Sequence, residues 1–189
     1  EEEEAKIKFC LSLRQDKFTP ESIAQLNTIA TKYQDDIEIT VHLHWALCHR
    51  ELMYPELSQK IKMIVEKYSD ESYISFLRGF DFFINPYPFS NQTCAFDQIV
   101  DAGRLGISIF DQDRPQSCAF ASIQDQLVPG LTKLLTTTTV NDKSYLTLVE
   151  TVLTNKASIK DWYKQLHQAI TSKLKETTLG NPSLYLKEL

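Results

Sequence analysis

Apolar residues occupy every second position in two stretches near the amino end of the chain. The first stretch is residues 6–13 and the second is residues 37–45, where the alternation begins at Ile37. A period of two, rich in β-branched and aromatic residues, is typical of a half-buried β-strand. The two stretches are therefore predicted to be strands.

The residues between these strands have the features of a helix. Thr19 is a suitable N-cap, Pro20 suits the first helical position and Glu21 places an acid in the first turn. Strand, helix and strand in this order predict a right-handed βαβ unit with two parallel strands. A helix over residues 37–53 is the alternative, because apolar residues there also share one helical face.

Apolar residues follow helical spacing through most of residues 55–126. A proline-rich break at residues 85–89 interrupts this pattern, since prolines remove backbone donors and restrict the preceding residue. This block is predicted to be an inserted helical subdomain.

The threonine-rich stretch 135–143 is β-branched and leads to a turn at Asn141 and Asp142. This pattern predicts a β-hairpin that continues past residue 145. An amphipathic pattern over residues 158–176 predicts a closing helix.

Composition limits the possible functions. The chain has 189 residues, 42% of them hydrophobic, and a net charge of −5, which suits one globular domain over residues 1–189. No cluster of Lys and Arg occurs, so a nucleic-acid surface is not expected. No apolar run is long enough to cross a bilayer.

The spacing of the cysteines and histidines matches no known metal or redox motif. Cys10, Cys48, Cys94 and Cys118 form no CxxC pair and have no zinc-finger spacing, so no metal site and no cofactor are predicted. Two further observations leave alternatives open. His42 and His44, with His49 nearby, would permit a metal site, and Asn91 begins a glycosylation sequon.

The order of these elements resembles the DsbA-like branch of the thioredoxin superfamily. The local pieces that carry the resemblance are the run LTTTTVNDK at residues 135–143 and the run AGRLGI at residues 102–107. The resemblance implies an α/β fold, a thioredoxin-like βαβ-ββα sheet with an inserted helical subdomain over residues 55–126. It also implies a cell-envelope or periplasmic location.

In that family a Cys-x-x-Cys follows the first strand and faces a cis-proline loop. The corresponding positions here are Arg14, Gln15, Asp16 and Lys17, with Thr136 and Thr137 in the place of the cis-proline loop. The pair of cysteines and the proline are both absent from these positions, so no catalytic residue is assigned. Arg14 and Lys17 near a helix start are also candidates for anion binding.

A non-redox module that binds a protein or peptide is the resulting functional hypothesis, since thiol–disulfide exchange needs a thiolate at the degenerate position. Two alternatives stay open. One is a thiol–disulfide oxidoreductase-like enzyme that uses Cys10 or Cys48 alone, and the other is an all-α helical-repeat scaffold.

Overall fold

Six parallel strands form one sheet in the order β3-β2-β1-β4-β5-β6. The structure is a computed structural model that describes residues 5–44, 54–91 and 93–174. The strand bounds are β1 Ile7–Leu13, β2 Ile37–Leu43, β3 Lys62–Val65, β4 Phe82–Ile84, β5 Leu105–Ile109 and β6 Thr136–Thr137. This strand order is that of a doubly wound α/β sheet.

Seven α-helices of the described residues connect and flank the strands. Their bounds are α1 Pro20–Lys32, α2 Asp70–Leu77, α3 Thr93–Phe96, α4 Ala119–Leu127, α5 Pro129–Leu135, α6 Ser144–Thr154 and α7 Ile159–Lys173. A π-helical segment, Asp97–Asp101, continues α3 without a break. Short 3-10 turns occur at Gln15–Lys17, Pro115–Ser117 and Lys156–Ser158.

The predicted βαβ unit is confirmed. β1 and β2 pair in parallel, with Phe9 opposite Ile39. The Thr19 side chain accepts a hydrogen bond from the Ser22 amide and so caps α1. The competing helix over residues 37–53 is wrong for residues 37–43, and residues 45–53 lie outside the described residues.

Both faces of the central strands are buried. In β1 and β2 every residue except the second is buried, including the polar Ser12 and His42. Parallel sheets are normally covered by helices on both faces. The prediction that these strands are half-buried therefore underestimates their burial, whereas their positions along the chain are confirmed.

The prediction of a largely helical block over residues 55–126 is wrong, because β3, β4 and β5 all lie inside it. Each of these strands pairs within the main sheet. The thioredoxin-like arrangement of a small sheet with a helical insertion is thus not observed. The coarser prediction of an α/β fold is confirmed, and the all-α alternative is wrong.

The predicted hairpin at residues 135–143 is also wrong. Only Thr136–Thr137 form a strand, and they pair with β5 in parallel. The Asn141 side chain accepts a hydrogen bond from the Lys143 amide just before α6 begins. The asparagine thus belongs to a helix entry, not to a hairpin turn. The closing helix is confirmed as α7.

None of the described helices combines the length and the apolar character that a membrane span requires.

Candidate functional site

The sheet has a topological switch point between β1 and β4. From β1 the chain adds β2 and β3 on one side, and β4, β5 and β6 occupy the other side. In open α/β sheets the connections at such a point diverge, which leaves a crevice outside the carboxyl ends of the strands. This geometry marks the loops after β1, β2 and β4 as the place to look for a site.

A cleft of about 360 Å³ lies at this place. Arg14 and Lys17 come from the loop after β1, and His44 directly follows β2. The loop after β4 supplies Ser90 and Asn91. We call this the switch-point cleft, and its lining residues include Arg14, Lys17, His44, Ser90, Asn91 and Cys94.

Two cationic side chains, Arg14 and Lys17, line the switch-point cleft. Arg14 pairs with Asp16 at 2.6 Å between Nη2 and Oδ2, and both side chains are largely exposed. Lys17 Nζ donates to the Ser90 carbonyl at 3.0 Å. Burial, and then the neighbouring Arg14, lower the pKa of Lys17. An anionic ligand between these cations would gain charge-assisted hydrogen bonds.

His44 adds a third nitrogen-bearing side chain to the same wall. Burial, and then the charge of Lys17, lower the pKa of His44, which favours the neutral imidazole. In that form one ring nitrogen donates and the other accepts. The wall therefore combines the positive charges of Arg14 and Lys17 with a neutral hydrogen-bond donor, the His44 ring.

The loop after β4 is held by buried hydrogen bonds. Asn85 Oδ1 accepts from Ser90 Oγ and from the Asn91 amide, each at 3.0 Å. Ser90 Oγ accepts from the Phe120 amide at 2.9 Å, and the Tyr145 hydroxyl donates to the Asn85 carbonyl at 2.8 Å. The loop is thus a rigid wall of the cleft.

Asn91 is a structural residue of this wall. Its Nδ2 donates to the Ser12 carbonyl at 2.7 Å, and the residue is almost fully buried. A glycan attaches to this same nitrogen. In the folded chain this nitrogen is therefore engaged in packing.

The described cysteines are free thiols. Cys10 is fully buried inside β1, and burial raises its pKa. Cys94 lines the cleft, but burial, and then Asp97, raise the pKa of its thiol. Reactive cysteines have lowered pKa values, so neither thiol is an activated nucleophile. Cys48 lies outside the described residues.

His42 in β2 and His44 just after it form no metal site with other described residues. His42 and His44 have ring centroids 5.0 Å apart. Within residues 5–44, 54–91 and 93–174, no three His, Cys, Asp or Glu side chains are grouped so that they would hold a metal ion. His49 falls outside these ranges.

Thr136 and Thr137 lie away from the cleft. They form β6 at the edge of the sheet and line a separate groove of about 730 Å³ with residues of α4 and α5. The two halves of the predicted site, Arg14–Lys17 and Thr136–Thr137, are therefore not brought together. Only Arg14 and Lys17 belong to the switch-point cleft.

Sequence reasoning missed Ser90, Asn91 and Cys94 as site residues, because the spacing of apolar residues predicts helices for the block that contains them. A signal was present: the apolar run at residues 82–84 is followed at once by a loop rich in proline and asparagine. A short buried strand that ends in such a loop is typical of the carboxyl edge of a parallel sheet.

Comparison of the sequence with protein families and with curated proteins finds no match. Solved structures of similar fold do exist. The chain superposes on an O-GlcNAc transferase mutant of Thermobaculum terrenum with a TM-score of 0.76, at 11% identity, over 97% of this chain and 35% of that one.

Two further structures are similar. The E. coli trehalose-6-phosphate synthase bound with UDP-2-fluoro glucose matches 97% of this chain and 44% of its own length, with a TM-score of 0.62 and 11% identity. A UDP-forming α,α-trehalose-phosphate synthase of Burkholderia xenovorans covers 88% of this chain and 41% of its own, with a TM-score of 0.60 and 12% identity. The chain thus spans less than half the length of each.

These structures are named as an O-GlcNAc transferase and trehalose-phosphate synthases. At such low identity the similarity establishes the fold alone. It nevertheless corrects the thioredoxin-like interpretation: the resemblance to DsbA-like proteins, and the degenerate redox module inferred from it, are wrong. The expectation of an envelope location loses its basis with that resemblance.

Proposed function

We propose that this chain is a nucleotide-sugar-binding domain of a glycosyltransferase, with the switch-point cleft as the site for the phosphates of the donor. The observation that carries the proposal is the position of Arg14 and Lys17 at the carboxyl end of β1, beside the switch point. Ligands of open α/β sheets bind at this edge.

The chemistry of the cleft supports a phosphate ligand. Arginine presents a planar fork that matches phosphate oxygens, and lysine provides a compact positive charge. The neutral imidazole of His44 adds a donor for an oxygen atom. The structurally similar proteins indicate which kind of phosphate ligand to expect, since one is bound with UDP-2-fluoro glucose and another is UDP-forming.

A protein or peptide ligand, expected from the sequence, stays a prediction. In a transferase such a molecule would be the acceptor.

Titration with UDP tests the proposal. Lys17→Met keeps the apolar stem and removes the charge, and a charge-assisted hydrogen bond contributes about 1.5–3 kcal/mol. We expect UDP affinity, measured by isothermal titration calorimetry, to fall by about tenfold or more. The matched control is Lys160→Met, which removes an exposed lysine of α7 that does not line the cleft.

Uridine serves as the ligand control because it lacks the phosphates. We expect it to bind far more weakly than UDP, and Lys17→Met to leave its binding unchanged. Equal losses of UDP affinity in Lys17→Met and Lys160→Met, or equal affinities of the wild type for UDP and uridine, would contradict the proposed phosphate site.

A further inference from the structure

The threonine-rich run gives the sheet an open edge. β6 pairs with β5 on one side, and no described strand lies on its other side. The Thr137 carbonyl accepts from the Phe110 amide at 2.8 Å, so the backbone groups of Thr137 face β5. Backbone groups of successive residues in a strand point to opposite edges. Thr136 and Thr138 therefore present their backbone groups to the open edge, where an added strand reaches them.

This edge lacks the features that normally keep exposed strands apart. Natural sheet edges carry charges, prolines or bulges that prevent pairing with another chain. Residues 134–140 contain no charged residue, no proline and no glycine, and all five residues from 136 to 140 are β-branched. Such residues favour an extended backbone. Only Thr136–Thr137 are paired, because β5 ends at Ile109, so the run is longer than the pairing it receives within its own chain.

Two exposed apolar side chains flank the edge on either side of Thr137. Leu134 precedes the strand and is 39% exposed, and Val140 follows it and is 46% exposed. A two-fold axis through Thr137 would place Thr136 opposite Thr138 of a second copy in an antiparallel pair. The same axis brings Leu134 toward the end of the edge that carries Val140 of the second copy. Antiparallel self-pairing would therefore cover both apolar side chains.

The groove beside this edge is also complementary to itself in charge. This groove of about 730 Å³, the β6 groove, lies between residues 136–138 and α4, and it includes Asp125 of α4 and Lys133 of α5. Both charged side chains are exposed, and within the described part of the chain neither has an ion-pair or hydrogen-bond partner. A two-fold contact sets one patch against itself, so Asp125 of each copy meets Lys133 of the other.

We propose that the β6 edge is an interface between two copies of this chain, joined by antiparallel pairing of residues 136–140 into one continuous sheet. A second copy fits this edge because the backbone groups, the flanking apolar residues and the opposite charges are all matched by the same two-fold axis. The interface lies at the end of the sheet, apart from the switch-point cleft between β1 and β4. It does not depend on nucleotide binding.

Sedimentation equilibrium of the chain tests the association. We expect a monomer–dimer equilibrium at micromolar concentrations. Thr138→Pro removes an outward amide, and proline is tolerated where a strand amide faces solvent, so the monomer should still fold. The dissociation constant of the dimer should rise about tenfold or more, since symmetry removes the hydrogen bond twice. Thr138→Ala is the matched control: it keeps the amide and should stay within about threefold of the wild type. A wild type that is monomeric throughout, or an equally tight dimer in Thr138→Pro, would overturn the proposal.

Charge reversal tests the two-fold contact. Asp125→Lys sets two lysines against each other and Lys133→Asp sets two acids against each other, so each should weaken the dimer by about fivefold or more. The double variant restores opposite charges and should recover most of the wild-type affinity. Losses that add in the double variant would refute this arrangement of the two copies. Circular dichroism verifies that each variant is folded.

Hydrogen exchange locates the interface. The Thr138 amide of the wild type should exchange about tenfold more slowly above the dissociation constant than below it, because pairing protects the amide. A dimer in which Thr138 exchange does not change with concentration uses another surface. A monomer that takes up an unrelated extended peptide at this edge assigns the edge to a different ligand. Either of these results would contradict the proposal.

Discussion

Gly106 stands in the middle of β5, where the sheet leaves no room for a side chain. A Cβ atom at this position would lie 2.3 Å from Cζ and 2.5 Å from Cε1 of Phe120, and 3.1 Å from the Phe83 carbonyl oxygen. Phe120 is fully buried. The ring therefore has no solvent to move into, and Gly106→Ala must displace α4 or distort the strand.

The size of the effect follows from two contributions. Overpacking a filled core costs about 1–3 kcal/mol. The Gln124 side chain also accepts from the Gly106 amide at 2.9 Å and donates to the Gly106 carbonyl at 3.2 Å, and each such bond contributes about 0.5–1.5 kcal/mol. A displaced α4 weakens both bonds, so we expect a loss of about 2–4 kcal/mol in the free energy of unfolding.

Urea unfolding followed by circular dichroism measures this loss, and Gly130→Ala is the matched control. A Cβ at Gly130 would meet no atom within 4 Å, and the residue lies in the first turn of α5. Alanine there should stabilise the chain by about 0.4–1 kcal/mol. A loss below about 0.5 kcal/mol for Gly106→Ala would refute the packing argument, since typical overpacking costs more.

Two predictions concern the surroundings of the cleft. Burial lowers the pKa of His42 in the folded chain, so its contribution to stability is complete above its unfolded pKa of about 6.5 and is lost as pH falls through the folded value. Stability at pH 5.5 should be lower than at pH 7.5, and His42→Asn should reduce this difference in urea titrations. Tyr145→Phe removes the buried bond to the Asn85 carbonyl and should cost about 1–2 kcal/mol in the free energy of unfolding. A loss below about 0.5 kcal/mol in urea unfolding would contradict the buried role of Tyr145.

The first βαβ unit could be predicted because its signals are local. Thr19 and Pro20 mark the start of α1, and alternation marks β1 and β2 even though both of their faces are buried. The same unit begins many α/β folds, however. It therefore did not distinguish a thioredoxin-like sheet from the six-stranded parallel sheet that is observed.

The apolar residues of the later strands do not alternate with polar ones, so the sequence pattern does not reveal these strands. β4 has three residues, all buried, and β5 is buried at every position, including the polar Ser108. Strands covered on both faces do not alternate. In the block before β3, Leu57 and Ile61 matched a helical stripe by chance, since both are buried in the turns that precede the strand.

The candidate site was half visible for a related reason. Arg14 and Lys17 are predicted as candidate anion ligands because they lie near a predicted helix start, just after a strand that the sequence also predicts. Ser90 and Asn91 follow β4, a strand that it did not predict. A site at the carboxyl edge of a parallel sheet can be predicted from the sequence only where the strands that precede its loops can be predicted.

The hydrogen bonds that join the loops of the cleft affect the thermodynamics of ligand binding. Lys17 bonds to the Ser90 carbonyl from the loop after β1, and Asn91 bonds back to the Ser12 carbonyl from the loop after β4. Each side chain that is fixed before the ligand arrives spares roughly 0.5–1.5 kcal/mol of ordering entropy on association. A preorganised cleft of this kind should bind with a heat capacity change set by the ligand contacts alone, without the larger negative change that accompanies coupled folding of a loop.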